Sequence, residues 1–492
     1  MDSSDNENDS FSMFSKRTKR TKTENDEQPQ PRQPTMKQVV VKPESERFTF
    51  GDLGLNEWVV RCVNSMGIVT PTPVQKACIP EVVSGKNVIG VSETGSGKTA
   101  VFALPILQKL AVDPYGIYAV ILTPTRELAI QIDEQMEAFG APIHARVSLV
   151  IGGQDFVTQA EELRNRPHVV IATPGRLLEH LKTADPPVIK RLGFLVLDEC
   201  DRMLSGTLVD EVKEIISLVQ SRCVNPLQYL LMTATFDDTV RKAVNDMQIS
   251  IGFEYIPAVT NKAVTTVEGL EEYYLMIPDH IKFVYFVYFM VHSMKSEEED
   301  EKRIMDKSSA IVFCNTCRSA QLLSELLRVF KVDNVCLHSM LDQRRRSAAI
   351  GKFRNSQSPV LVCTDVASRG LDIPQVDLVV NFDLPKAPFD YIHRVGRTAR
   401  AGRTGTAVSF LTRSSIPKLH AIEELTKKQL QPLEGIDEKD VLLIMSKVGK
   451  SMRVANMFLL KNGFEEKENR KKSQKRSHLE WFVCSKHGKE TF

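Results

Sequence analysis

The chain has 492 residues, of which 42% are hydrophobic, and its formal net charge at pH 7 is +2. This length and composition fit two or three globular domains, while the balanced charge excludes a surface that is basic overall, so a surface for nucleic acid would have to be local. Nine cysteines are too few for a disulfide-rich secreted scaffold and fit a reducing compartment.

The chain starts with a polar segment, residues 1–46, that is rich in Ser, Asp, Glu, Gln and Pro. Such a composition cannot bury enough apolar surface to offset chain entropy, so we predict a disordered tail. It has no ordinary secretory signal, which favours an intracellular protein. The basic cluster KRTKRTK, Lys16–Lys22, is either a solvated run of charge or a nuclear-import signal.

Residues 47–258 alternate short runs of Val, Ile and Leu with longer amphipathic stretches. The runs NVIGVSE, YAVILTP, HVVIATP, LGFLVLD and QYLLMTAT lack polar alternation, which is typical of strands buried on both faces of a parallel sheet. The segments between them, such as RELAIQIDEQMEAFG, have helical spacing. We predict a doubly wound α/β domain.

A small, polar linker is predicted at residues 259–268, and a second α/β domain at 269–425. The second series of strands is SAIVFCN, NVCLHS, PVLVCTD, VDLVVNF and TAVSFLT. Its apolar run Phe283–Val291 is too short to span a bilayer and predicts a core helix. Residues 295–307 form an acidic insert with the composition of a surface loop. The last segment, 426–492, is a basic extension for which we predict no further strands.

The segment SETGSGKT follows the strand NVIGV and precedes a helical stretch. A strand, a glycine-rich turn and a helix form an anion site in which backbone amides surround phosphate oxygens. In such a site Lys98 reaches the β- and γ-phosphates and Thr99 can hold Mg²⁺. Ser92 stands where the pattern has Gly or Ala, which is a mild departure because serine is also small.

The stretch LVLDECDRML places three carboxylates at the end of an apolar strand. Ligands of open α/β sheets bind at the carboxyl edge, so Asp198 is a candidate for Mg²⁺ and Glu199 for polarising the attacking water. The two acids could alternatively cap the next helix. Cys200 between them could be a metal ligand, a redox switch, a nucleophile or a spacer.

Other segments of the chain indicate which nucleotide it binds and which reaction it catalyses. A GTPase would need an NKxD element, but the pair Asn261-Lys262 lacks the aspartate, and no acceptor site for a kinase is evident. The segment YIHRVGRTARAGR carries closely spaced arginines, which repel one another unless an anion lies between them. We therefore expect a polyphosphate or a nucleic-acid backbone there, with an exposed basic helix as the alternative.

Over roughly residues 48–425 the sequence resembles the DEAD-box family of RNA-dependent ATPases and helicases. The motifs that carry the resemblance are GIVTPTPVQ, SETGSGKT, PTRELA, GG, TPGR, DECD, TAT, QRRR, TDVASRGLD and YIHRVGRTARAGR. It implies two tandem RecA-like domains with an ATP cleft between them. The residues implied to bind ATP are Phe50, Gln75, Ser92, Glu93, Thr94, Gly95, Ser96, Gly97, Lys98, Thr99 and Asp372. A glutamine amide donates and accepts at once, so Gln75 could pair with adenine and reject guanine.

The resemblance also implies the remaining roles. Lys98, Asp198 and Glu199 would be catalytic, with Arg397 and Arg400 as arginine fingers that reach the γ-phosphate. The residues implied to couple hydrolysis to domain closure are Asp201, Thr233, Thr235 and His393. Those implied to contact RNA through its backbone are Pro124, Thr125, Arg126, Gly153, Thr173, Pro174, Gly175, Arg176, Gln343, Arg346, Thr364 and Arg369.

The expected function is RNA-stimulated ATP hydrolysis that drives local strand separation, with ATP and Mg²⁺ as cofactors and RNA as partner. An RNA clamp that closes without unwinding is an alternative, and a DNA helicase is disfavoured by the adenine element. The chain looks most like members that act on small-subunit precursor rRNA, which implies a nucleolar location and a protein cofactor in a preribosomal assembly. No membrane is expected. Structural zinc is not expected either, because Cys314 and Cys317 in CNTC have no second cysteine pair nearby.

Overall fold

The structure is a computed structural model, and it describes residues 37–38, 48–92, 95–236, 238–247, 253–257, 269–294, 304–305, 307–365, 374–399, 404–461, 463–466 and 469. The predicted linker lies outside these residues, as does nearly all of the predicted disordered tail. Within that tail the described pair Lys37–Gln38 forms a short strand. Of the acidic insert, only residues 304, 305 and 307 are described.

The first domain is built on one parallel sheet of eight strands in the order β1-β8-β2-β7-β6-β3-β5-β4. These strands are β1 (Lys37–Gln38), β2 (Asn87–Val91), β3 (Ala119–Leu122), β4 (Val147–Val150), β5 (Val169–Ala172), β6 (Phe194–Asp198), β7 (Gln228–Thr233) and β8 (Phe253–Pro257). The five predicted strands are confirmed as β2, β3, β5, β6 and β7. Each of these is buried along nearly its whole length, as expected for strands covered on both faces.

Helices cover both faces of this sheet. They are α1 (Glu57–Ser65), α2 (Pro73–Val83), α3 (Lys98–Leu110), α4 (Arg126–Gly140), α5 (Phe156–Arg164), α6 (Pro174–Leu181), α7 (Cys200–Leu204), α8 (Val209–Arg222) and α9 (Asp238–Asp246). Successive residues of β3 alternate between two hydrophobic clusters, with Ala119 and Ile121 in one and Val120 and Leu122 in the other. The clusters are the two cores of a doubly wound domain.

The second domain repeats this plan with a parallel sheet of seven strands, in the order β11-β12-β10-β13-β14-β9-β15. The strands are β9 (Leu270–Met276), β10 (Ala310–Cys314), β11 (Asn334–Leu337), β12 (Val360–Thr364), β13 (Leu378–Asn381), β14 (Gly405–Leu411) and β15 (Gln431–Pro432). Its helices are α10 (Lys282–Ser293), α11 (Cys317–Val329), α12 (Gln343–Arg354), α13 (Pro388–Val395) and α14 (Ile416–Thr426). The predicted core helix is confirmed as α10, and no helix in the described parts of the chain has both the length and the apolar character needed to cross a membrane.

The extension 426–492 contains the short strand β15, so the prediction of no further strands was wrong, and it continues as a long helix, α15 (Glu438–Lys461). One stripe of the helix, which includes Val441, Val448, Ala455 and Leu459, is buried in a core cluster of the second domain. The spacing of seven, seven and four residues keeps these side chains on one face of a helix. The extension therefore begins as part of the second domain's packing.

Candidate nucleotide and RNA site

The phosphate loop connects β2 to α3 at the carboxyl edge of the first sheet. Gly97 is the N-cap of α3 and has a φ of 83°, in the left-handed region that favours glycine. Lys98 begins the helix, is buried, and donates from Nζ to the main-chain oxygen of Ser92 at 2.7 Å. The Ser92 and Ser96 hydroxyls lie 2.6 Å apart, which closes the loop across its mouth.

The predicted adenine-reading glutamine supports this loop directly. Gln75 Nε2 donates to the main-chain oxygen of Gly97 at 3.0 Å, and its Oε1 accepts from the main-chain nitrogen of Thr72 at 2.9 Å. A Cβ at Gly97 would collide with the Gln75 amide, so a larger residue there would displace this side chain from the loop. Thr72 Oγ1 donates to the Ser96 oxygen at 2.7 Å. In this state the Gln75 amide therefore braces the loop, and pairing of this amide with adenine stays a prediction.

Phe50, the other predicted adenine contact, is 1% exposed in a core cluster of the first domain. It lies in a short 3₁₀ helix, Phe50–Leu53, that precedes α1. The structure therefore uses this ring to anchor the segment that leads to Gln75. A role at the adenine stays a prediction.

The acidic pair lies at the end of β6, on the same sheet edge. Burial, opposed by Lys98 and reinforced by Glu199, raises the pKa of Asp198 to about 7. Glu199 is the N-cap of α7 with a φ of 54°, which is a strained conformation for a residue that has a Cβ. In the turn into α7 the Glu199 amide donates to Asp198 Oδ1 at 3.1 Å.

A compact hydrogen-bonded cluster joins the acidic motif to the end of β7. Thr235 donates to Asp201 Oδ2 from its hydroxyl at 2.8 Å and from its main-chain nitrogen at 3.2 Å. Thr233 Oγ1 donates to the Thr235 main-chain oxygen at 2.6 Å, and the Thr233 oxygen accepts from the Ser92 amide at 3.0 Å. The predicted coupling residues Asp201, Thr233 and Thr235 are therefore in one network with the start of the phosphate loop.

Cys200 lies inside this region and is fully buried in a hydrophobic cluster. Burial raises the pKa of its thiol well above the ordinary value, and Asp201 raises it further. Such a thiol stays protonated and is a poor nucleophile. The spacer alternative is the one that this environment favours.

The predicted RNA contacts of the first domain lie along a second part of the same edge. The Arg126 guanidinium packs on Gly152 and Gly153, where a Cβ on Gly152 would lie 2.7 Å from Arg126 Nη2. Arg176 donates from Nη1 to the Gln154 main-chain oxygen at 3.1 Å. Burial lowers the pKa of Arg126, and the nearby charges of Arg346 and Arg176 lower it further, so these arginines form a strongly cationic cluster.

One carboxylate balances this cluster and connects the two domains. Glu127 Oε1 accepts from Arg346 Nη2 at 2.6 Å and from Gln343 Nε2 at 3.2 Å. The two charged side chains are 2% and 7% exposed, so the ion pair is buried. Sequence reasoning missed Glu127, although an acid directly after Arg126 in a motif of phosphate-binding character was a signal.

Three buried polar atoms of the second-domain RNA candidates have no hydrogen-bond partner among the residues that the structure describes: Gln343 Oε1, Arg346 Nε and Thr364 Oγ1. Unsatisfied buried groups cost free energy unless a ligand or water completes them. A polar ligand would satisfy these three atoms, but buried atoms in the same state also occur on Ser293 and Ser358, which have no predicted role at RNA.

The arginine-rich segment of the second domain is only partly as expected. Arg394 on α13 is 1% exposed and pairs with both carboxylate oxygens of Asp365, at 2.5 and 2.7 Å. It also donates to the Asp383 main-chain oxygen at 2.6 Å. The charge of Arg394 is therefore neutralised inside the domain by Asp365. Arg394 does not need the external anion that was expected for the closely spaced arginines of this segment. His393 lies on α13 and Arg397 in the turn after it, where Arg397 is 5% exposed.

Five predicted site residues, Glu93, Thr94, Arg369, Asp372 and Arg400, lie outside the described residues. The remaining first-domain candidates lie at the starts of helices. Thr99 is in the first turn of α3, Pro124 and Thr125 precede α4, and Thr173, Pro174 and Gly175 form the start of α6. Gly95 lies in the phosphate loop with a φ of 82°. Within the described ranges, no three or more His, Cys, Asp and Glu side chains are arranged to hold a metal ion.

Comparisons with known families agree with this geometry. A family model described as DEAD/DEAH box helicase matches residues 72–243, and one described as helicase conserved C-terminal domain matches residues 288–402. The human protein named probable ATP-dependent RNA helicase DDX49 is 44% identical over 422 residues, which cover 85% of this chain and 84% of that protein. ATP-dependent RNA helicase dbp8 of Schizosaccharomyces pombe is 40% identical over 88% of this chain and 94% of its own length.

Solved structures show the same likeness. Mss116p bound to ssRNA and AMP-PNP superposes with a TM-score of 0.73 at 27% identity, covering 85% of each chain. S. cerevisiae Dbp5 bound to RNA and ADP BeF3 superposes with a TM-score of 0.66 at 28% identity, over 81% of this chain and 99% of that one. From its two domains, its ordered motifs and these matches, the chain belongs to the DEAD/DEAH box helicase family.

Proposed function

We propose that this chain is an ATP-dependent RNA helicase that couples ATP hydrolysis to local separation of RNA strands or to remodelling of RNA–protein complexes. The observation that carries the proposal is a phosphate loop with an acidic pair on one part of a sheet edge, beside an arginine cluster that spans two domains. The relatives named ATP-dependent RNA helicases support it, as do the structures of similar chains with RNA and nucleotide.

At the nucleotide, Lys98 and the amides of the loop bind the phosphates. The Thr99 hydroxyl and the buried Asp198 carboxyl are oxygen donors that suit Mg²⁺, and a bound cation would favour the ionised form of Asp198. When bound, the ion would neutralise charge on the phosphates. Glu199 orients the attacking water, while Arg397 and Arg400 complement the charge that develops on the γ-phosphate.

At the RNA, contacts to phosphates and sugars position the strand without reading its bases. Arg126, Gly153, Thr173 and Arg176 contribute from the first domain, and Gln343, Arg346, Thr364 and Arg369 from the second. The unpartnered buried atoms on Gln343, Arg346 and Thr364 support this assignment, because a ligand's polar groups would satisfy them.

ATP hydrolysis is coupled to RNA binding because the nucleotide site and the RNA site each contain residues from both domains. If closure completes both, ATP and RNA favour the same closed state and must bind cooperatively. The Asp201–Thr235 hydrogen bonds, with Thr233 bonded to Ser92, give a continuous path from the acidic motif to the phosphate loop. His393 completes this coupling set from the second domain.

A simple experiment tests the activity. ATP hydrolysis is measured with RNA and with DNA of equal length and sequence, and a short labelled duplex reports strand separation. Stimulation by RNA but not DNA, together with strand separation that requires hydrolysable ATP, is expected. Equal stimulation by DNA would overturn the RNA assignment. ATP-dependent RNA binding with no strand separation and no release after hydrolysis would instead identify a clamp.

In the cell we propose a role in ribosome biogenesis, with precursor rRNA as substrate, a protein cofactor in a preribosomal assembly and a nucleolar location. The resemblance to small-subunit members of the family supports this. The basic clusters Lys16–Lys22 and Arg470–Arg476 also suit nuclear import and nonspecific RNA affinity. Crosslinking the protein to RNA in cells and sequencing the RNA tests it, and absence of precursor rRNA among the crosslinks would contradict it.

A further inference from the structure

A groove of about 920 Å³ lies on the second domain, and none of the residues predicted to contact nucleotide or RNA lines it. Helices α11 and α12, strand β11 and the end of α15 form its walls. Its apolar lining includes Val335, Cys336, Leu459 and Phe464. Pockets of this size that are lined mainly by apolar groups are typical binding sites.

Charged side chains surround this apolar floor. Arg328 and Arg345 are each paired with a neighbouring carboxylate, at 2.8 Å to Glu325 and 3.4 Å to Asp342. Lys352, on the rim of the groove, is exposed and forms no ion pair with a described residue. The groove therefore presents one cation that is available for an acidic group of a ligand.

The last described residues of the chain lie close to this groove, because Phe464 is part of its lining. Arg318 on α11 binds the last part of α15 and the segment just after it, donating to Asn456 at 3.2 Å and to Glu465 at 2.9 Å. The Phe464 ring packs edge-on against His338 with ring centroids 5.8 Å apart. Phe464 lines the groove, and Asn469, the last described residue, follows only five positions later, so the rest of the chain begins within about 17 Å of the groove wall.

Beyond Asn469 the sequence contains one dense apolar group, Leu479, Trp481, Phe482 and Val483, with Glu480 among them. Ten residues separate positions 469 and 479, and a chain of that length can span up to about 33 Å, more than enough to return to the groove. A short tether also raises the local concentration of its end to about millimolar, so modest contacts are sufficient for binding.

We propose that Leu479–Val483 docks in this groove of the same chain, with Trp481 and Phe482 on the apolar floor and Glu480 near Lys352. Large aromatic side chains in a closed pocket are the usual anchors of such interfaces. The site goes beyond the proposed helicase function. It lies on α12, the helix that also carries Gln343 and Arg346, so a docked segment would brace the RNA-facing helix from behind.

Tryptophan fluorescence tests the proposal in the full chain. The chain has two tryptophans, so Trp58→Phe leaves Trp481 as the only reporter. We expect a blue-shifted emission and acrylamide quenching about threefold weaker than for a free peptide of residues 477–486, because docking shields the indole from water. Ala348→Glu, an exposed groove position, should shift the emission to the red and restore quenching. The matched control Ser347→Glu adds the same charge to the same helix at a position outside the groove lining. It should leave the emission wavelength and the acrylamide quenching of Trp481 unchanged.

A second measurement covers the case in which Ala348→Glu disturbs folding. The full chain with Trp481→Ala and Phe482→Ala has an open groove and should bind a labelled peptide of residues 477–486, whereas the unsubstituted chain should bind it at least about tenfold more weakly because its groove is occupied. Equal peptide binding by both chains would overturn the proposal. So would a Trp481 that is quenched like the free peptide. Protection that grows with protein concentration would assign the groove to a second copy, and would equally overturn docking within one chain.

Discussion

We propose that the phosphate loop and the arginine cluster each bind a negatively charged ligand, but different contacts hold the two sites in place. Three contacts within the first domain shape the loop: Lys98 to Ser92, Gln75 to Gly97 and Thr72 to Ser96. The arginine cluster depends on a buried ion pair between domains, from Glu127 to Arg346. The loop is therefore preformed by one domain, whereas the arginine cluster requires both domains to be together.

Substitutions at these two sites should therefore cause two different functional defects. Damage at the loop or the acidic pair should stop hydrolysis and leave the RNA face intact. Damage at the interdomain contact should weaken the response to RNA and leave the nucleotide pocket intact. The following predictions test that separation.

The largest effect is expected for Glu199→Gln. Removing the carboxylate that we propose orients the attacking water should lower kcat for RNA-stimulated hydrolysis by about 10²–10⁴-fold, while ATP binding persists because the loop contacts remain. Turnover and nucleotide affinity are measured on the same protein. Glu161→Gln, an exposed change of the same kind on α5, is the control and should behave as the unsubstituted chain. Normal turnover in Glu199→Gln would contradict the assignment.

Glu127→Ala should have the next largest effect. It leaves Arg346 buried without its partner, which typically costs 3–5 kcal/mol, about 100-fold or more in an equilibrium. We expect the RNA concentration for half-maximal ATPase activity to rise by about 10–100-fold, while ATP hydrolysis without RNA changes little.

The control is Glu134→Ala on the same helix. Glu134 also faces the second domain, but its pair with Arg354 is 4.0 Å long and 62% and 32% exposed. Such an exposed ion pair contributes little to the free energy that stabilises the contact, about 0–1 kcal/mol. If the two variants responded to RNA in the same way, the buried pair would not be the contact that organises the arginine cluster.

A smaller effect is expected at Asp133 on α4. Burial, reinforced by Glu137, Glu134 and Glu162, raises the pKa of Asp133 to about 7. Between about pH 4 and 7 the folded protein retains a proton that the unfolded chain loses, so this carboxyl lowers the free energy of unfolding as pH rises. Asp133→Asn should therefore stabilise the protein by about 1 kcal/mol at pH 8 and not at pH 4, after allowance for partial exposure.

Thermal unfolding at both pH values measures this effect, and RNA-stimulated ATPase activity should stay unchanged. Asp113→Asn, at an exposed pair with Arg191, is the control and should show no comparable pH-dependent gain. A gain for Asp133→Asn that is equal at both pH values would show that the carboxyl does not titrate as stated.

The smallest effect is expected for Cys200→Ala. The side chain is fully buried and small, so its loss should cost about 1 kcal/mol of stability or less and should leave ATPase activity nearly unchanged. Steady-state kinetics with and without a thiol-blocking reagent measure this. A large loss of kcat would contradict this prediction and show that the Cys200 side chain has a function in the nucleotide pocket.

The elements that sequence reasoning found and missed differ in burial. Strands such as β6 and β12 are buried at every position, so their apolar runs are unmistakable. Edge strand β4 is only alternately buried, and β9 contains Glu272, a buried acid that pairs with Lys428 and accepts from the Tyr391 hydroxyl. A charged residue inside a strand hides the apolar pattern because its partners are distant in sequence.

Sequence alone determined the phosphate loop, the acidic pair and the order of the two domains, because each depends on a local pattern of strand, turn and helix. The tertiary structure decided what distant side chains do. It made Gln75 a brace for the loop, satisfied Arg394 with Asp365, and placed Glu127 against Arg346. These contacts join residues far apart in the chain, and the free energy of burying a charge depends on neighbours that no local pattern specifies.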